Sequence, residues 1–174
     1  FRHFGKAEGF SGVEVNQNAI LRDSKGNIWF GTGTGAVKYD SHYDWENKLE
    51  PSTFITDIRL YFENVDWTKY SDSINEKTFL PQNLVLPYYE NHLTFYFSGI
   101  CFTAPEKVRY QYMLEGLDKD WSPVTTEVYA SYPSIPPGDY TFLVKACNNE
   151  GVRNIEPVKF SFTINPPVWK TIWF

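Results

Sequence analysis

Apolar and polar positions alternate along most of this chain. Leu93, Phe95 and Phe97 are interleaved with Thr94, Tyr96 and Ser98, the period of two that predicts a half-buried strand. From Val108 to Leu114 the pattern repeats, with Val108, Tyr110, Tyr112 and Leu114 on one face and Arg109, Gln111 and Met113 on the other. Tyr140, Phe142, Val144 and Ala146 share the inner face of a later strand, and Phe160, Phe162 and Ile164 that of the last. An earlier strand begins at Phe54 and runs toward Phe62. Turn signals separate these runs: Glu115-Gly116-Leu117-Asp118 and Pro136-Pro137-Gly138-Asp139. Residues 63–83 are polar and irregular, with Trp67, Tyr70 and Phe79 as expected anchors onto the body.

About seven short strands at this spacing predict an all-β chain built around an immunoglobulin or fibronectin III-like β-sandwich. Two aromatic residues fit that frame. Trp121 follows the Val108–Leu114 strand and is expected to plug the space between the sheets. Tyr140 follows Pro-Pro-Gly-Asp, where a tyrosine corner would fasten the preceding loop through its hydroxyl.

Ahead of the sandwich, residues 18–40 read as three short strands punctuated by Lys25-Gly26-Asn27 and Gly33-Thr34-Gly35. Strand, turn, strand, turn, strand is a meander, the unit of a propeller blade, and residues 1–12 could add an edge strand to it. Between Asp40 and Thr53 the alternation lapses. The expected division is a blade over 1–45, a sandwich over 46–165 and a separate terminal segment over 166–174.

Composition narrows the chemistry. Of 174 residues 42% are hydrophobic, enough for a core, and 18% are aromatic, which suits pleated sheets. A net charge of −5 without a basic run leaves no phosphate-binding footprint, so nucleic acid is not an expected partner. His3, His42 and His92 stand in no catalytic or metal-binding pattern. Gly31-Thr-Gly-Thr-Gly35 lacks the helix and lysine of a phosphate loop, and Asp23-Ser-Lys-Gly-Asn27 lacks calcium-loop spacing. No catalytic residue, metal or cofactor is implied. Cys101 and Cys147 end two strands, but Cys147 is in phase with Leu143 and Lys145, opposite the inner face, which argues against a bridge unless a bulge reverses it. For ligand binding the weak candidates are Tyr43, Trp45, Trp67 and Tyr70, in polar, irregular segments. Two roles are open to them: stacking on a pyranose ring, or sealing blade against sandwich.

Asp23-Ser-Lys-Gly-Asn-Ile-Trp-Phe-Gly-Thr followed by Gly35-Ala-Val-Lys-Tyr-Asp resembles the two-component regulator propeller repeat. Pro105 to Trp121 (with Tyr110 and Tyr112), then Tyr132, then Pro136-Pro-Gly-Asp-Tyr140, resembles the Y_Y_Y domain, as does the close from Asn165 to Phe174. In that family the domain lies between a sensor propeller and a transmembrane helix. The resemblance implies the periplasmic side of the inner membrane and a homodimeric receptor, a histidine kinase of the hybrid two-component type. Its ligand, a glycan or another nutrient, would be met by the propeller outside this chain, whose own role would be non-catalytic coupling. Tyr110, Tyr112, Trp121 and Tyr140, with Pro166, Pro167 and Trp169 at the exit, would carry that coupling. Pro-Pro-Val-Trp-Lys-Thr-Ile-Trp-Phe is then expected to be the approach to the membrane, where Trp and Phe sit comfortably. Phe1 does not look like a natural start, so the chain is expected to be an excised segment whose blade strands pack on the sandwich or on another chain. The alternative expectation is a carbohydrate-binding or accessory β-sandwich of a secreted enzyme.

Overall fold

The structure, a computed structural model, describes residues 5, 6, 9, 10 and 14–167. The membrane-approach segment with Trp169, and most of the edge strand expected over 1–12, lie outside these residues. The chain divides into two compact units, Phe1–Glu46 and Asn47–Phe174.

The first unit is an antiparallel meander of β1 (Val15–Arg22), β2 (Ile28–Thr32) and β3 (Gly35–Tyr39). Its first turn is organised by one carboxylate. Asp23 accepts from the Lys25 and Asn27 amides, both at 2.9 Å, from Asn27 Nδ2 at 2.8 Å and from the Trp29 indole at 3.0 Å. These donors, Asn27 and Trp29 foremost, pull the Asp23 carboxyl down to a pKa of about 2. The Gly-Thr-Gly-Thr-Gly stretch forms the second hairpin, with Thr32 Oγ1 donating to the Gly35 carbonyl at 3.0 Å. Gly31 lies where a Cβ would come 2.8 Å from Ala19 Cβ, so its lack of a side chain serves strand approach and not a phosphate.

The second unit is a β-sandwich. One sheet has the order β10 (Tyr129–Tyr132), β8 (Leu93–Ile100), β4 (Ser52–Leu60); the other has β7 (Leu84–Pro87), β12 (Val158–Asn165), β11 (Gly138–Cys147), β9 (Arg109–Glu115). A two-strand ribbon, β5 (Ser73–Ile74) with β6 (Pro81–Gln82), sits in the irregular stretch after β4. The all-β sandwich expected from the alternation is the observed fold. Tyr110, Leu114, Tyr140, Phe142, Val144, Ala146, Phe160, Phe162 and Ile164 all point into the core. At its centre Phe95 and Phe142 stack from opposite sheets, centroids 4.2 Å apart and planes 6° from parallel.

Two expectations are corrected. Trp121 does not plug the space between the sheets. It lies under the Lys145 ammonium, 3.9 Å from the ring, and Lys145 occupies the outward face of β11, so Phe95 and Phe142 fill the interior instead. Phe79 is no anchor: it is 78% exposed with φ at 57°, at the tip of the ribbon. The cysteines are free thiols, Cys101 buried and Cys147 half-buried on the outer parity.

Candidate functional site

No cluster of three or more His, Cys, Asp or Glu suited to a metal ion occurs among the described residues. The organised chemistry of the second unit instead lies where the chain enters the sandwich, along its tyrosines, and where it leaves. Entry is held by two asparagines brought in from about a hundred residues downstream. Asn148 Nδ2 donates to the carbonyls of Asn47 (2.7 Å) and Leu49 (3.0 Å), while its Oδ1 accepts from the amides of Glu150 (2.9 Å) and Val152 (3.0 Å). Asn154 Nδ2 donates to the Pro51 carbonyl at 2.7 Å, and its Oδ1 accepts from Thr53 Oγ1 at 2.6 Å and the Ala146 amide at 2.8 Å. Buried at 3% exposure, the Asn148 side chain uses both of its N–H donors and both lone pairs of its amide oxygen. Neither asparagine stands out in the sequence, because loop asparagines usually satisfy only their own turn.

Three core tyrosines, Tyr110, Tyr132 and Tyr140, each tie the hydroxyl to a different partner. Tyr110 accepts from the Gly99 amide at 2.9 Å, linking β9 to the opposite sheet. The Tyr132 hydroxyl donates to Asp118 Oδ2 at 2.7 Å, and that oxygen also accepts from the Leu114 amide at 2.8 Å. Burial first and the Asp118 carboxylate second hold the Tyr132 phenol well above its ordinary range, so it is a permanent donor. Tyr140 donates to the Pro136 carbonyl at 2.9 Å, the geometry of a tyrosine corner. Gly116, at φ +98°, turns the chain beside it, where a Cβ would come 2.9 Å from both the Asp139 carbonyl and the Tyr140 ring. Tyr112 is half-buried against Phe97 and Phe142, and burial raises its phenol too. At the exit, Pro166 is exposed and Pro167 buried, directly after β12.

Residues 101–165 match the family model of the Y_Y_Y domain, and residues 9–34 that of the two component regulator propeller. The two matched stretches resemble a propeller repeat followed by a Y_Y_Y domain. The family match takes in β9 to β12, and β4, β7 and β8 complete the sandwich ahead of it. Histidine kinase P4 of Formosa agariphila is 26% identical over 170 residues, covering 98% of this chain and 12% of that protein. Two solved structures share the fold, each described as the extracellular domain of a hybrid two component system from B. thetaiotaomicron. The first has 23% identity and a TM-score of 0.71 over 94% of this chain and 22% of that one. The second has 23% identity and a TM-score of 0.58 over 85% and 20%. The chain thus spans about an eighth of the curated relative and a fifth of the solved ones.

Within the second unit, two of the four sugar-stacking candidates pack against the body of the sandwich. Trp67 and Tyr70 pack against the sandwich core and meet each other edge to face at 6.4 Å. Their segment is pinned by Asp66, which caps the short turn at Thr68, and by the Tyr70 carbonyl, which accepts from Val85 of β7 at 2.8 Å. The other two, Tyr43 and Trp45, belong to the first unit and stand 78% and 75% exposed. Among the described residues no helix is long and apolar enough to cross a membrane.

Proposed function

We propose that this chain is the extracytoplasmic coupling segment of a bacterial two-component sensor, a histidine kinase of the hybrid type. The repeat is the last blade of a sensor propeller, and the Y_Y_Y domain passes propeller movement to a transmembrane helix beyond the chain. The receptor is a homodimer on the periplasmic side of the inner membrane, and its ligand is a glycan bound by the propeller outside this segment. The chain itself does no chemistry.

One observation carries this reading: the sandwich is gripped at one end and left from the other. Asn47–Pro51 enters beside Asn148 and Asn154, at the end where β8 finishes. The chain leaves after Asn165, at the end where β7 finishes and β8 begins. Eight-residue strands at ~3.4 Å per residue separate the two by about 27 Å. A close-packed core between them resists internal deformation, so movement at the entry reaches the exit without being absorbed. The order of the two family matches and the names of the relatives support the same reading.

Replacing Pro166-Pro167 with Gly-Ser in the full receptor tests it. Both substitutions free φ at the exit, so ligand-dependent autophosphorylation should fall while propeller affinity stays constant. Unchanged ligand-dependent output would end the rigid-coupling reading.

A further inference from the structure

One two-residue turn of the sandwich carries the wrong residues for its backbone. Leu60 and Glu63 exchange both backbone hydrogen bonds, 3.1 and 2.9 Å, across a two-residue loop. The loop residues Tyr61 and Phe62 both have positive φ, 49° and 67°. Such a loop ordinarily takes Asn-Gly, Asp-Gly or Gly-Gly, because left-handed backbone is costly for bulky side chains. Two adjacent aromatics in it are held by their surroundings. The Tyr61 amide donates to the His92 carbonyl at 3.0 Å, its hydroxyl donates to the Tyr89 carbonyl at 2.6 Å, and the Phe62 ring meets the His92 ring edge to face at 4.8 Å. Yet the rings are not buried: Tyr61, Phe62 and Tyr89 are 48%, 55% and 60% exposed. Strain kept without core packing points to a use outside the domain.

Position says what that use is. The turn ends β4, Tyr89 lies in the connection from β7 to β8, and β12 delivers Asn165 beside Pro87, so all three rings stand at the end from which the chain leaves. We infer that Tyr61, Phe62 and Tyr89 form an aromatic finger that seats this end of the domain in a lipid headgroup layer. Rings with an apolar body and, in tyrosine, a polar tip suit the boundary between headgroups and acyl chains. Charge selects the lipid: residues 60–64 and 86–93 contain Glu63 and Glu90 but no Lys or Arg, so the surface is zwitterionic and not anionic. A second copy of the chain is a poor occupant, since three side chains fall far short of the ~800 Å² per partner of a stable interface. The inference rests on the membrane-adjacent reading above.

The test compares this chain with its Tyr61→Asn/Phe62→Gly variant by co-sedimentation with phosphatidylcholine vesicles. The variant supplies the residues the backbone prefers, so its unfolding midpoint should hold or rise, and lost binding cannot be ascribed to lost folding. The terminal Trp-rich segment is common to both and cancels. The finger predicts partitioning roughly tenfold weaker in the variant, a smaller loss for Tyr89→Ser, and weaker binding of the parent chain when phosphatidylglycerol is added. Equal partitioning of parent and variant overturns it. So does self-association in the absence of lipid that the variant abolishes, which would assign the turn to a second copy. The vesicles contain neither kinase nor receptor, so a negative result here leaves the coupling proposal standing, and a negative Gly-Ser result leaves this one standing.

Discussion

Replacing Asn148 separates two jobs done by one buried side chain. Its amide nitrogen holds the carbonyls of Asn47 and Leu49, the incoming chain, and its amide oxygen holds the amides of Glu150 and Val152, its own turn. Asn148→Ala removes all four hydrogen bonds, each contributing about 0.5–1.5 kcal/mol net. Their backbone partners belong to residues that are not fully buried and can recover water, so the expected loss is about 2–3 kcal/mol and not the upper sum. Asn148→Asp keeps the acceptor side and turns the donor side into a second acceptor facing two carbonyls. It should cost at least as much as Asn148→Ala, about 3 kcal/mol or more, because a buried carboxylate then faces two carbonyl oxygens, while the turn stays intact. Urea unfolding of the sandwich, read by near-ultraviolet circular dichroism, measures the loss as a shift in midpoint at constant slope. Amide hydrogen exchange separates the jobs: Glu150 and Val152 lose protection in Asn148→Ala and keep it in Asn148→Asp. A midpoint in Asn148→Asp equal to the parent would refute the clamp. A loss below ~0.5 kcal/mol in Asn148→Ala would refute the hydrogen-bond accounting altogether.

Two further outcomes concern the propeller repeat. Gly31→Ala should destabilise the meander by roughly 1–3 kcal/mol, because the added methyl meets Ala19 at 2.8 Å, and Ala19→Gly in the same chain should restore most of it; thermal unfolding of the single and double variants decides. Asp23 titrates in the folded chain at about 2, below its unfolded value near 3.9. Its contribution to the turn is therefore fully present above pH ~4 and is lost as pH falls through about 2. A carboxyl-carbon NMR titration with a midpoint near 4 would contradict the four-donor geometry, and Asp23→Asn should remove that acid sensitivity.

Much of the sandwich was legible because alternation is a local signal. Phe95, Tyr110, Phe142 and Phe162 lie on strands whose inner and outer faces can be counted from the residues alone. Two of the seven sandwich strands were not legible: Leu84–Pro87 and Tyr129–Tyr132 are four residues each, too short for a period to show. Counting also fails within β4, where the register slips between Ile55 and Asp57, so that Ile55, Ile58 and Leu60 all face inward despite their spacing. Trp121 was misplaced because distance from a strand does not tell which face of the sheet a returning segment covers. The entry clamp was invisible for a different reason. Asn148 and Asn154 earn their positions through partners about a hundred residues away, and no local pattern marks such a pairing. Tyr61-Phe62 reads as the end of an apolar strand, since nothing in those letters announces a left-handed turn.

The two strands that bound the sandwich's path are not equally fastened, and this has a mechanical consequence. The exit strand β12 lies inside its sheet, bonded to β11 on one side and to β7, parallel, on the other. Among the described residues the entry strand β4 lies at the edge of its sheet and pairs with β8 alone. Ladder hydrogen bonds run across the strands, so a tug along β12 loads two ladders in shear at once, seven residue pairs to β11 and four to β7. The same tug on β4 strains one ladder, with a bulge already in it. Under tension the domain should yield first at the propeller side and hold its grip on whatever follows Pro167, like a fuse placed upstream of the load.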